Sequence, residues 1–197
     1  MISILDYGAG NLRSVQNTLG EIGADYELVR DATALSRATK VVLPGVGHFG
    51  QMMRALDQMQ VRDSLLDRIR AGVPFLGICL GLQALFESSE EAPHERGLGL
   101  FQGQIQRFSA GARVPHMGWN QIVPRQGAKL LASLAPNPYL YFAHSYYAPV
   151  NDATAATCTY TVPYTAVLET KNIFGVQFHP EKSGPLGLKI VRNFVEL

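Results

Sequence analysis

The segment Gly77-Ile78-Cys79-Leu80-Gly81 sets a thiol between two glycines, where an apolar run (Val73 to Ile78) meets a helical pattern opened by Leu80, Ala84 and Leu85. A side chain at such a strand-to-helix turn sits on a tight, strained backbone. Glycine on both sides lets the chain turn there without clashes, which is the logic of a nucleophile elbow with Cys in place of Ser. A helix beginning after Cys79 would favour a thiolate through its positive N-terminal end. Its free N–H groups, first that of Leu80, could hold a developing oxyanion. A buried structural thiol is the commoner fate of a Cys among Leu and Ile. Without the glycines that reading would prevail; with them the nucleophile stands ahead.

A thiolate needs a group that handles protons. Of the five histidines, His179 stands out in Gln177-Phe178-His179-Pro180-Glu181, at the end of an apolar strand. Residues i and i+2 of an extended chain face the same side, and Pro180 favours extended geometry for His179, so Glu181 is expected beside the imidazole. That would supply a base and an orienter for it. Taken alone, His-x-Glu is a weak signal, equally a strand-end His with a solvated Glu nearby. The other histidines have blander readings. His48 follows a glycine loop and could cap the next helix, His94 lies in an acidic surface stretch, and His116 and His144 sit beside strands as core or rim groups. No Cys/His set has zinc spacing, so no metal is expected.

The elements that must position these groups follow from periodicity. Ile2 to Leu5, Tyr26 to Val29, Lys40 to Leu43 and Val73 to Ile78 read as buried strands, the third ended by Pro44-Gly45. A helix is expected from near Asn11. Val61, Leu65, Leu66 and Ile69 recur at helical spacing until Ala71-Gly72 stops them. Strand and helix alternating at this spacing imply a mostly parallel sheet covered on both faces. After about residue 95 the character changes. Segments 99–108, 119–123, 139–147, 155–160, 165–169 and 173–178 look like strands punctuated by Gly and Pro, so the sheet should grow by mixed or antiparallel strands. Leu186, Ile190, Val191, Phe194 and Val195 form a closing helix stripe. One domain spanning residues 1–197 is expected.

Composition narrows the function classes. Of 197 residues, 47% are hydrophobic and 17% charged, which suits a globular protein with a substantial core. The net charge of +1, from 17 basic and 16 acidic residues, lacks the footprint of a nucleic-acid binder. No charged leader or stretch long enough to span a membrane is read. Two cysteines, Cys79 and Cys158, make no disulfide framework and suit a reducing, cytoplasmic setting. Cys158 has no motif near it and is expected to pack in the sheet.

Gly77-x-Cys79-x-Gly81-x-Gln83, followed a hundred residues later by Phe178-His179-Pro180-Glu181, resembles the class I (triad) glutamine amidotransferases. Each motif alone could be chance; both in order, each at a strand end, rarely would be. Pro44-Gly45-Val46-Gly47 agrees, falling where this family keeps a glycine loop that closes the oxyanion site. Asp6-Tyr7-Gly8-Ala9-Gly10-Asn11-Leu12, His48-Phe49-Gly50, Pro115-His116-Met117-Gly118-Trp119-Asn120 and Lys182-Ser183 are similar to one branch, the glutaminase subunits of imidazole glycerol phosphate synthases. That likeness covers nearly the whole chain.

The resemblance implies a flavodoxin-like α/β glutaminase fold. It implies hydrolysis of L-glutamine to L-glutamate and ammonia by Cys79, His179 and Glu181, with no cofactor. It implies an oxyanion hole from the N–H of Leu80 and one from Val46–Gly47. Gln83, Glu91 and Gly47 would hold the substrate, and Ser145-Tyr146 would line its backbone end. It further implies a (β/α)8-barrel cyclase as partner in a heterodimer, receiving ammonia to make imidazole glycerol phosphate and AICAR in histidine biosynthesis. Asn11, Trp119 and Lys182 are the expected interface positions, and Gly8-Ala9-Gly10 is read as facing the partner. Lys182 reads equally as a solvated surface charge. Three rivals remain: a cysteine peptidase on a related sheet, a non-catalytic regulatory subunit, and the same chemistry feeding a different acceptor.

Overall fold

The computed structural model describes residues 1–109 and 111–197. The first half alternates as its apolar runs require. β1 (Ile2–Leu5) leads through α1 (Leu12–Glu21) to β2 (Tyr26–Val29), and the single turn α2 (Ala32–Leu35) connects to β3 (Val41–Gly45). Then α3 (Phe49–Gln58) and α4 (Arg62–Arg70) return the chain to β4 (Phe75–Cys79). β1, β3 and β4 are buried at every position, as strands covered on both faces must be, whereas β2 is largely open to solvent.

The second half begins with α5 (Leu80–Gln83), a single turn, and the short strand β5 (Phe86–Ser89). β6 (Phe101–Arg107), β7 (His116–Pro124), β8 (Tyr139–His144), β9 (Tyr146–Tyr147), β10 (Thr154–Tyr160), β11 (Val162–Thr170) and β12 (Ile173–Val176) follow. A 3-10 turn at Pro180–Lys182 precedes α6 (Gly184–Glu196).

Among the described residues, nine strands form one sheet in the order β2-β1-β3-β4-β12-β11-β10-β7-β8. The first five are parallel, in the flavodoxin-like order with β12 as the fifth strand, and the remaining four are antiparallel extensions. The expected fold class is therefore the observed one. Alternate residues of each strand feed opposite cores. Val42, Leu76 and Ile78 meet Val15 and Leu19 of α1 and Ile190 and Phe194 of α6. Val41, Leu43 and Phe75 meet Phe49, Met52 and Met53 of α3 and Leu65 and Ile69 of α4. In open α/β sheets of this kind, ligand sites lie beyond the carboxyl ends of the parallel strands. The loops after β1, β3, β4 and β12 all open there.

Two expectations are corrected. The helix after Cys79 stops after one turn, because segment 97–101 takes the carbonyls that a longer helix would use. Leu98 N–H donates to Ala84 O at 2.7 Å, Gly97 N–H to Glu87 O at 2.9 Å and Leu100 N–H to Leu85 O at 2.9 Å. The result is β5, paired with β6 in a small separate sheet completed by β9. The single strand expected over 139–147 is broken at Ser145. Its first part, β8, pairs with β7 in the large sheet, and its second, β9, pairs with β6 in the small one. The crossing between sheets turns Ser145 and Tyr146 toward the carboxyl rim.

Candidate active site

Cys79 ends β4 with φ +53° and ψ −105°, a conformation that L residues rarely adopt. The strain falls on the cysteine itself, and the glycines serve a different purpose. A Cβ on Gly81 would lie 2.0 Å from Leu43 O, and one on Gly77 would lie 2.4 Å from Gly81 O. The elbow is thus possible only because β3, β4 and α5 approach backbone to backbone. With α5 a single turn, a long helix dipole is not available to the thiol. What remains is local: the N–H groups heading that turn, beginning with Leu80.

His179 lies three residues beyond the end of β12, held there by fully buried Phe178. Its backbone is pinned on both sides: its N–H donates to Tyr141 O at 2.9 Å, and Ser183 Oγ–H donates to its carbonyl at 2.7 Å. His179 is extended, as a residue before proline should be, but Glu181 arrives by the 3-10 turn rather than along an extended strand. The contact itself is the expected one: His179 Nδ1 and Glu181 Oε1 are 2.8 Å apart. Both side chains are almost completely buried.

Burial alone would suppress the imidazolium. Hydrogen bonding to Cys79 and Glu181, and their negative charge, outweigh it and raise the His179 pKa from 6.5 to about 10. Burial likewise opposes the Glu181 carboxylate, but the His179 hydrogen bond and charge, with a further hydrogen bond from Asn11, hold its pKa below the ordinary value. Asn11 Nδ2–H donates to Glu181 Oε1 at 3.2 Å, and Ser14 Oγ–H donates to Asn11 Oδ1 at 2.8 Å. Asn11, expected at a partner surface, is therefore also tied to the carboxylate.

A cavity of about 170 Å³ opens at this rim, with room for one small molecule rather than a polypeptide. Cys79 and His179 are both on its wall, as are Leu80, Val46 and Gly47 of the expected oxyanion hole and Gln83, Glu91, Ser145 and Tyr146 of the expected substrate contacts. Pro115, Ala143 and His144, which sequence reasoning did not nominate for the cavity, complete it. Glu181 stands behind the imidazole, off the wall. Gln83 is partly committed to the protein: its Nε2–H₂ donates to Tyr146 O at 2.8 Å and to Gln177 Oε1 at 3.0 Å. Glu91 also closes the start of α3, where its Oε2 accepts from Phe49 N–H at 2.7 Å.

The remaining histidines take their plainer roles. His48 Nδ1 accepts from Gly50 N–H at 3.1 Å and caps α3, and His94 is exposed. His116 and His144 are buried together, Nδ1 to Nε2 at 3.3 Å, and burial depresses their pKa values to about 4 and about 3. Cys158 packs inside the sheet, where burial pushes its thiol up to about 11 and makes it unreactive. Asp6 organises the first loop, accepting from Gly8 N–H at 3.1 Å and from Arg30 Nε–H at 2.7 Å. Trp119 and Lys182 are exposed on one face. The Lys182 ammonium lies 5.9 Å above the Tyr141 ring, and Trp119 meets that ring edge-on at 6.1 Å. Sequence reasoning missed Gln177, which is fully buried with its Nε2 3.5 Å from Cys79 Sγ. The available signal was an amide among the apolar residues that end β12.

Comparison with known proteins identifies the family. The model of the family described as glutamine amidotransferase class-I matches residues 3–197, and the chain belongs to that family. It is 50% identical over 198 residues to a Methanothermobacter thermautotrophicus protein named imidazole glycerol phosphate synthase subunit HisH, covering 100% of this chain and 98% of that one. It is 45% identical to the Thermococcus kodakarensis protein of the same name, covering all of both chains. Among solved structures, one titled a glutamine amidotransferase superposes with a TM-score of 0.78 at 17% identity, covering 99% of this chain and 97% of that one. PurLQS from Thermotoga maritima does so with a TM-score of 0.74 at 19% identity and 99% and 97% coverage. At those identities the structures speak for the fold alone. No helix among the described residues is long and apolar enough to cross a membrane.

Proposed function

We propose that this chain is the glutaminase subunit of an imidazole glycerol phosphate synthase, in which Cys79, His179 and Glu181 release ammonia from glutamine for a partner cyclase. The observation that carries the reading is one cavity walled by the strained Cys79 and by His179, with Glu181 bonded to the far side of the imidazole.

The mechanism follows from the charges. The Cys79 sulfur, as a thiolate, bonds to the side-chain amide carbon of glutamine, and the carbonyl π pair moves to oxygen. The oxyanion is held by the N–H of Leu80 and one from Val46–Gly47. The imidazolium of His179, favoured by Glu181, gives its proton to the amide nitrogen, the C–N bond breaks and ammonia leaves. Neutral His179 then takes a proton from water, whose oxygen attacks the thioester. The C–S bond breaks to give glutamate, the thiolate and the imidazolium. Gln83, Glu91 and Gly47 hold the substrate glutamine, and Ser145 and Tyr146 line its backbone end.

Ammonia protonated by bulk water is no longer a nucleophile, so release into a closed passage toward the cyclase preserves it. The acceptor chemistry, yielding imidazole glycerol phosphate and AICAR, takes place on that partner. A cytoplasmic location fits two free thiols. The test is Cys79→Ala in the reconstituted pair: glutamine-dependent synthesis is lost, while synthesis from added ammonium continues. Glutamine hydrolysis at the wild-type rate in that variant ends the proposal.

A further inference from the structure

Gln177 sits beside Cys79 with no exposed surface, and its amide nitrogen lies 3.5 Å from the Cys79 sulfur. A side-chain amide has a donor end and an acceptor end of the same shape, so the surrounding network must decide which end faces where. Here a backbone carbonyl decides. Tyr146 O can only accept, and it takes a hydrogen from Gln83 Nε2 at 2.8 Å. The Gln83 amide is thereby fixed with its nitrogen inward, and its second hydrogen points to Gln177 at 3.0 Å. Only the Gln177 oxygen can accept that hydrogen, so the Gln177 nitrogen must face Cys79 Sγ, 3.5 Å away. His144 Nδ1 also bonds to Tyr146 O at 2.8 Å, which secures the anchoring carbonyl from a second side.

We infer that Gln177 is a positioning residue for the nucleophile: its amide N–H donates to the Cys79 sulfur, and the Tyr146 carbonyl, acting through Gln83, enforces that polarity. An N–H aimed at sulfur strengthens when the sulfur carries charge and weakens once it is a neutral thioester. It therefore favours the attacking state and holds Sγ toward the cavity. The network also assigns Gln83 a second duty. Both hydrogens of its amide are spent on the protein, so only its oxygen is available to a substrate.

The inference rests on Cys79 being the nucleophile, and the experiment separates the two. Full-length Gln177→Glu and Gln177→Met are compared with wild type for the rate of Cys79 alkylation by iodoacetamide at pH 8, and for kcat and KM in complex with the cyclase. Glutamate has the shape of glutamine and keeps the acceptor for Gln83, but its charge faces the sulfur. Methionine removes the donor and adds no charge. Alkylation is expected to fall about tenfold in Gln177→Met and further in Gln177→Glu, with kcat falling in step and KM changing less than about twofold. A packing role predicts the reverse order, because glutamate fits the site better. Wild-type alkylation in Gln177→Met, or faster alkylation in Gln177→Glu than in Gln177→Met, overturns the inference. If Gln177→Glu does not fold, the methionine variant decides alone. Glutamine hydrolysis surviving in Cys79→Ala would instead remove the premise.

Discussion

At the scale of single residues the site is a problem in buried charge. An imidazolium and a carboxylate within one small volume would each be suppressed by burial, and they persist because each offsets the desolvation of the other. The consequence for stability has a definite sign. His179 has its pKa raised from 6.5 to about 10 by folding, so its contribution is complete below pH 6.5 and fades as pH rises through about 10. The Glu181 carboxyl is held below its ordinary 4.5, so its contribution is present above that value and is lost as pH falls through the lowered one. Their shared bond therefore counts most between pH 4.5 and 6.5. Glu181→Gln, which keeps an acceptor and removes the charge, should cost about 1–3 kcal/mol near pH 6. In denaturant titrations its deficit against wild type should shrink as pH rises through 10; a deficit that grows with pH would contradict the assignment.

Sequence reveals residue types well and mutual orientation poorly. Cys79, His179 and Glu181 were legible because a thiol between glycines and a His-Pro-Glu at a strand end are unusual in themselves. Gln177 was not, since it reads as one polar interruption of an apolar strand and acquires meaning only when β4 and β12 lie side by side. Asn11 reads from the sequence as a helix start and an interface position and not as a neighbour of the imidazole's carboxylate, because Glu181 lies at the other end of the chain.

At the scale of elements, the elbow works by close approach. The periodicity of the first half predicted β1, β3, β4 and the helices that cover them, since those signals are local. It overstated α5, because the carbonyls just beyond it are claimed by segment 97–101, and it ran β8 and β9 together, because the break at Ser145 depends on which sheet each half joins. The glycines of the rim now divide into two kinds. At Gly81 an added methyl would lie 2.0 Å from Leu43 O, so Gly81→Ala must separate β3 from α5. A loss of more than about 3 kcal/mol is expected, with little folded enzyme recovered. At Gly47, φ is +96° but no atom lies within 4 Å of an added Cβ. Gly47→Ala should cost only about 1–2 kcal/mol and fold, while kcat falls because the loop no longer reaches the conformation its N–H requires. Equal destabilisation of the two variants in parallel denaturant titrations would refute this division.

At the scale of the whole molecule, the parallel half of the sheet holds Cys79 and His179, and the antiparallel half supplies a surface continuous with them. β7 and β8 form the far edge of the large sheet, and Trp119 and Tyr139 each keep more than half their surface exposed there. Tyr141, between them on the same face, joins Trp119 to Lys182, and Lys182 is the immediate neighbour of Glu181. An exposed aromatic group flanked by a cation is the composition that carries binding energy at protein interfaces. Under the proposed function this edge is the docking surface, and Lys182 ties it in sequence to the carboxylate that bonds His179. Trp119→Ala should therefore weaken binding to the proposed cyclase partner by about thirtyfold or more, measured by titration calorimetry, while the isolated chain changes in stability by less than about 0.5 kcal/mol. Lys182→Ala should have a smaller effect on affinity that is lost at high salt. An unchanged Kd in Trp119→Ala would move the proposed docking surface away from this edge.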